Sequence, residues 1–151
     1  MKRRLTGALL VALFAAPLGA QVASNSLFPG LTFPALQTAI DVGTNNYTVW
    51  VYADSTSAGV SISSKQGLSL VIEPGHAGPV RLNALIAGMG TGFSITNSTN
   101  VVVRGLTVTN FSTGILIGPG CTNIHVAENA VLSNTLYGIH VNGSLAVGCQ
   151  V

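Results

Sequence analysis

A right-handed parallel β-helix of about four coils is the fold that this 151-residue sequence predicts, and three observations carry it. First, the tetrads GFSI (Gly92 to Ile95), GILI (Gly114 to Ile117) and GIHV (Gly138 to Val141) repeat with their glycines 22 and then 24 residues apart. Second, short windows of alternating apolar and variable residues, the period-2 signature of strands, fall in threes between those repeats. Third, Asn and Gly stand where the corners of such coils would lie, and both tolerate the left-handed backbone that a sharp corner demands. A unit repeating at this period cannot bury its apolar side alone and must stack on its neighbours.

The elements follow in order. Lys2, Arg3 and Arg4 precede an apolar, small-residue run from Thr6 to Ala16, and Pro17-Leu18-Gly19-Ala20 offers a cleavage point. Residues 1–20 therefore read as a secretory signal, too short in its apolar part for a comfortable membrane span. Residues 21–30 are a lead-in, and the β-helix is expected over 31–151. Within it Thr32 is a candidate helix N-cap and Pro34 suits a first turn. Leu36, Ala39 and Ile40 then share one helical face, as a cap over the open end of a solenoid requires. Strands are expected at Val49–Val51, Val60–Ile62 and Leu68–Leu70, then at Val80–Leu82, Phe93–Ile95 and Val101–Val103. A third set is Leu106–Val108, Ile115–Ile117 and Ile124–Val126; a fourth runs through Val131, Ile139–Val141 and Cys149–Val151. Asn100 and Asn123, 23 residues apart, are expected to stack at one bend. The sequence stops at Val151 inside an expected strand, which reads as a C-terminally truncated β-helix or one that associates end to end.

The segments NVVVRGLTVTNFSTGILI and NIHVAENAVLSNTLYGIHV resemble the repeats of the pectate-lyase-like superfamily. FPALQTAIDVGTNNYTVWVYAD is similar to that superfamily's opening segment, in which a short helix precedes the first strand. The resemblance spans about Leu31 to Val151. It implies the fold and leaves activity open, because packing and corner residues carry it. Its lyases combine calcium-binding acids with a basic residue, so calcium enters as an implication of the resemblance alone. No other cofactor is expected, since no phosphate-binding glycine loop, zinc spacing or nucleophile elbow is present.

Charge narrows the partners. Without residues 1–20 the chain keeps Lys65, Arg81 and Arg104 against Asp41, Asp54, Glu73 and Glu128, a net charge of −1. A nucleic-acid footprint or a polybasic membrane patch needs clustered cations, and neither is expected here.

Outward strand positions are where a β-helix would carry chemistry. Three outward columns are expected: Ser61, Ser94, Leu116, His140; Ser69, Val102, His125, Gln150; and Trp50, Arg81, Thr107, Ala130. None holds a carboxylate, whereas glycoside hydrolysis ordinarily requires two acids facing each other across the scissile bond. The four acids read as a helix end and solvated corners, with no acidic cluster beside Arg81 or Arg104. Candidate ligand contacts are Trp50, Arg81, His125 and His140; no catalytic or metal-binding set is expected. The outward Trp50 and Tyr52 suit stacking on a sugar ring or cover by the N-terminal loop. His125 and His140 are placed on different faces and His76 in a corner, all three better read as solvent-facing than as ligands. Cys121 and Cys149 pose a disulfide against buried thiols, with Cys149 aligned to Ile124 and pointing inward. The sequons at Asn46, Asn97, Asn110 and Asn142 read as corner asparagines of a bacterial-looking exported protein.

These readings lead to a secreted, periplasmic or cell-surface module, non-catalytic as given, with a surface, structural or polysaccharide-contacting role. The alternatives are the N-terminal fragment of a polysaccharide lyase or glycoside hydrolase, or of an adhesin.

Overall fold

The structure, a computed structural model, describes residues 21–142 and 148–151; the expected leader lies outside the described residues. The described residues form a parallel β-solenoid of about four turns, as the repeats predict, with a single short helix among them. After β1 (Ala23–Asn25), β2 (Thr32–Phe33) and α1 (Leu36–Asp41) the first coil comprises β3 (Asn45–Val51), β4 (Ser55–Ser57) and β5 (Val60–Ser63). The second comprises β6 (Gln66–Ile72), β7 (Arg81–Ala84) and β8 (Thr91–Thr96). The third is β9 (Thr99–Arg104), β10 (Thr107–Thr109) and β11 (Thr113–Ile117), and the fourth is β12 (Thr122–Ala127), β13 (Ala130–Leu132) and β14 (Tyr137–Val141). Equivalent strands stack into three sheets: β2-β1-β3-β6-β9-β12, β4-β7-β10-β13 and β5-β8-β11-β14.

Inward residues form continuous apolar columns. Tyr47, Leu68, Val101 and Ile124 make one, and Val60, Phe93, Ile115 and Ile139 another. Packing of this kind is the main favourable term for the fold, at about 25 cal/mol per Å² of apolar surface removed from water. The last coil has no layer over it among the described residues, so Ile139 and Val141 are 38% and 45% exposed where Ile115 and Ile117 are 0%.

The repeated glycines have a packing cause. Gly59, Gly92, Gly114 and Gly138 lie in one register column of the third sheet. A Cβ on Gly92 would strike the Gly114 carbonyl and Val108, and one on Gly114 would strike the Gly138 carbonyl and Val131. At Gly92 and Gly114 the tetrad glycine is therefore required because backbone and side chains occupy that space, whereas at Gly138 the nearest atom to such a Cβ, of Val131, is 3.8 Å away. The expected asparagine stack is present as well, Asn123 Nδ2 donating to Asn100 Oδ1 at 2.7 Å. It belongs to a longer column of left-handed residues, Asn46, Gly67, Asn100, Asn123 and Gly148, with φ between 53° and 69°.

The N-terminal end is closed by pairing as well as packing. β1 runs antiparallel to β3 and covers the edge of the first sheet. The buried Asn25 donates from Nδ2 to the Ala39 carbonyl at 2.7 Å, tying β1 to the helix. α1 buries Leu36, Ala39 and Ile40, the three residues expected. Its N-cap is Ala35, in an extended conformation without a side-chain bond, and not Thr32, which pairs with Ser24 in β2. Thr32 is drawn into the sheet because the β1–β2 pairing satisfies its backbone before the helix begins. Gln37 then reaches the open edge of the third sheet: its Nε2 donates to the Ser61 carbonyl at 2.9 Å and its Oε1 accepts from the Ser61 amide at 2.7 Å.

Candidate functional site

The outer face of the first sheet concentrates the features suited to contact. β3, β6, β9 and β12 place two outward columns side by side on it. One is Thr48, Ser69, Val102 and His125, with Gln150 bridged to His125. The other is Trp50, Val71, Arg104 and Ala127. Successive rungs are about 4.8 Å apart. Ser24 of β1 flanks Trp50 on the other side.

Two open clefts lie on this side of the molecule, one beside Ser24 and one along Val71 and Arg104 of the indole column. The larger, about 530 Å³, is lined by Gln21, Ser24, Thr32, Tyr52 and Glu73 among others. The Tyr52 hydroxyl donates to the Ala23 carbonyl at 3.2 Å. Burial raises the phenol above its ordinary range, a Thr32 hydrogen bond opposes that, and nearby Glu73 adds to it. The smaller cleft, about 360 Å³, is lined by Val71, Ile72, Arg104, Gly105 and Glu128. There Arg104 and Glu128 form a bidentate pair, Nε to Oε2 at 2.9 Å and Nη2 to Oε1 at 2.6 Å. The guanidinium holds the Glu128 carboxyl below its usual range, chiefly by hydrogen bonding.

The structure does not bring the four expected contact residues together. Two of the three expected columns stand as read: Ser61, Ser94, Leu116, His140 on the third sheet, and Ser69, Val102, His125, Gln150 on the first. The third column is corrected. Arg81, Thr107 and Ala130 do align on the second sheet, but Trp50 belongs to the first sheet, beside Ser24 and Val71. The place expected for Trp50 is taken by Asp54, whose Oδ1 accepts the Arg81 amide at 2.8 Å and whose Oδ2 lies 3.8 Å from Nη1. The error has a physical origin: the first strand of the second sheet is the polar Ser55-Thr56-Ser57, which carries no apolar alternation to reveal it. Arg81 and Arg104 therefore each have one carboxylate partner. The Arg104–Glu128 pair was legible in principle, since 24 residues is one coil.

Trp50 and His125 share the first sheet, Arg81 lies on the second, and His140 on the third with its ring 4.4 Å from that of Tyr137. Among the described residues no three His, Cys, Asp or Glu side chains converge as a metal site would need. Cys121 is fully buried with its thiol pushed up by burial, and Cys149 packs partly buried against the core; no disulfide joins them. No helix among the described residues is long and apolar enough to cross a membrane. No known protein family, curated protein or solved structure matches this chain.

Proposed function

We propose that this chain is an exported, non-catalytic β-helix of the pectate-lyase-like superfamily whose first sheet contacts carbohydrate. The observation that carries the reading is the outward Trp50 column on a regularly spaced face, with one open cleft beside its neighbour Ser24 and another along its members Val71 and Arg104. An indole on such a face offers an apolar ring to the apolar side of a sugar. The neighbouring Thr48 and Ser69 hydroxyls would supply hydrogen bonds around it. Of the four carboxylates, Asp54 and Glu128 are each engaged by an arginine, Asp41 accepts from Gln37 at 2.8 Å, and Glu73 borders one cleft.

Retention of the purified chain on insoluble polysaccharides tests the proposal, with the supernatant assayed for new reducing ends and for unsaturated uronate products. Retention without product is expected. Product release would favour the alternative reading, an enzyme of the same superfamily, and the absence of retention on any polysaccharide would remove the carbohydrate role.

A further inference from the structure

We infer that the glycan taken by the first sheet is uncharged, so that the ligand class is a neutral polysaccharide and not a polyuronate. The inference rests on the carbohydrate-contacting role proposed above. It follows from where every fixed cation of residues 21–151 is spent.

Three such cations exist, Lys65, Arg81 and Arg104. Lys65 Nζ donates to the Gly43 carbonyl at 2.7 Å and to the Asp41 carbonyl at 3.4 Å, and lies 5.9 Å from the centre of the Tyr47 ring. It thus sits at the C-terminal end of α1, where carbonyl groups carry partial negative charge. Arg81 faces Asp54 on the second sheet, away from Trp50. Among the described residues Arg104 is the one cationic side chain on the face of interest, and its Nε and Nη2 are directed at the two oxygens of Glu128. A planar guanidinium in bidentate contact with its own carboxylate presents a neutral pair to a ligand.

The anions are not balanced in the same way. Glu73 borders the larger cleft beside Tyr52 and makes no ion pair among the described residues. Counting the side chains of Arg104, Glu128 and Glu73 alone, the first sheet's outer side carries a net negative charge. A chain of uronate residues laid along it would meet the like charge of Glu73, and the Arg104 donors left open by the pair lie beside the Glu128 carboxylate. Like-charge juxtaposition at a contact surface is a strong means of rejecting a ligand. A neutral hexose chain pays no such cost. It stacks on Trp50 and donates hydroxyls to Glu73 and its neighbours, bonds strengthened by the carboxylate's charge.

Calorimetric titration of the full chain with a neutral β-linked hexose oligomer and with oligogalacturonate tests this, at low and high salt, with calcium and with chelator. Binding of the neutral oligomer is expected in all four conditions, with oligogalacturonate at least tenfold weaker, a difference of about 1.4 kcal/mol. Trp50→Ala should weaken the neutral ligand about tenfold, Trp50→Phe less, and Arg81→Gln should leave it unchanged. Tighter binding of oligogalacturonate that fades with salt, vanishes in Arg104→Gln or requires calcium would overturn the inference while leaving a carbohydrate role standing. Binding of neither oligomer would overturn both.

Discussion

Tyr47 shows how a single residue ties the cap to the first coil. Its ring is buried beneath the helix and its hydroxyl donates to the Ile40 carbonyl at 2.7 Å. Burial, with a smaller contribution from Asp41, pushes the phenol up to about 12 from 10.0. A raised value in the folded state means that the protonated form is favoured there. The resulting stability is fully present below pH 10 and is lost as pH rises through about 12. Tyr47→Phe should cost about 1 kcal/mol at neutral pH through the lost hydrogen bond, and should abolish this alkaline step in a denaturant series. Gly67 carries a different constraint: its φ is 69°, and a Cβ would collide with the Asn46 side-chain oxygen. Gly67→Ala should therefore cost about 1–2 kcal/mol for the left-handed backbone plus the collision. Adding Asn46→Gly should recover the second part, as read by chemical denaturation. The asparagine ladder was legible because Asn100 and Asn123 lie one coil apart. Gly67 was not legible as a member of it, since glycine shows no side chain to align.

At the level of elements, the least regular pieces do the most to close the fold. α1 has no side-chain N-cap and only six residues, so it is held by burial and by Gln37. Gln37→Ala should lower the melting temperature slightly and selectively speed amide exchange at Ser61, leaving the interior strands protected. Strands with apolar alternation, such as Phe93–Ile95 and Ile115–Ile117, were legible in place and in register. β1, β2 and β4 were not, because β1 forms by pairing with β3, β2 forms by pairing with β1, and β4 is wholly Ser and Thr. That gap is what sent Trp50 to the wrong sheet. The Arg104–Glu128 pair joins β9 to the corner after β12. Because Glu128 is depressed, its contribution is present above the usual carboxylate range and fades as pH falls through the lowered folded value. Glu128→Gln should remove that part of the acid sensitivity, and the change should be small because the pair is exposed.

For the molecule as a whole, stacking in register is both the source of stability and the means of building a surface. Ile117 is fully buried between Ile95 and Val141. Ile117→Asp would place an unpaired charge in that column and should abolish cooperative unfolding, whereas Ile117→Val should cost only about 1 kcal/mol. The same stacking lines up Trp50, Val71 and Arg104 at strand spacing without any of them being near in sequence. Which outward residues share a face depends on which sheet each strand joins, so the site was less legible than the core. The most direct measurement is a map of amide chemical-shift changes as a neutral oligosaccharide is titrated into the chain. Shifts confined to Trp50, Ser69, Val71, Val102, Arg104 and His125 are predicted. Shifts centred instead on Ser61, Ser94 and His140 of the third sheet, or none at saturating ligand, would contradict the first sheet as the contact surface.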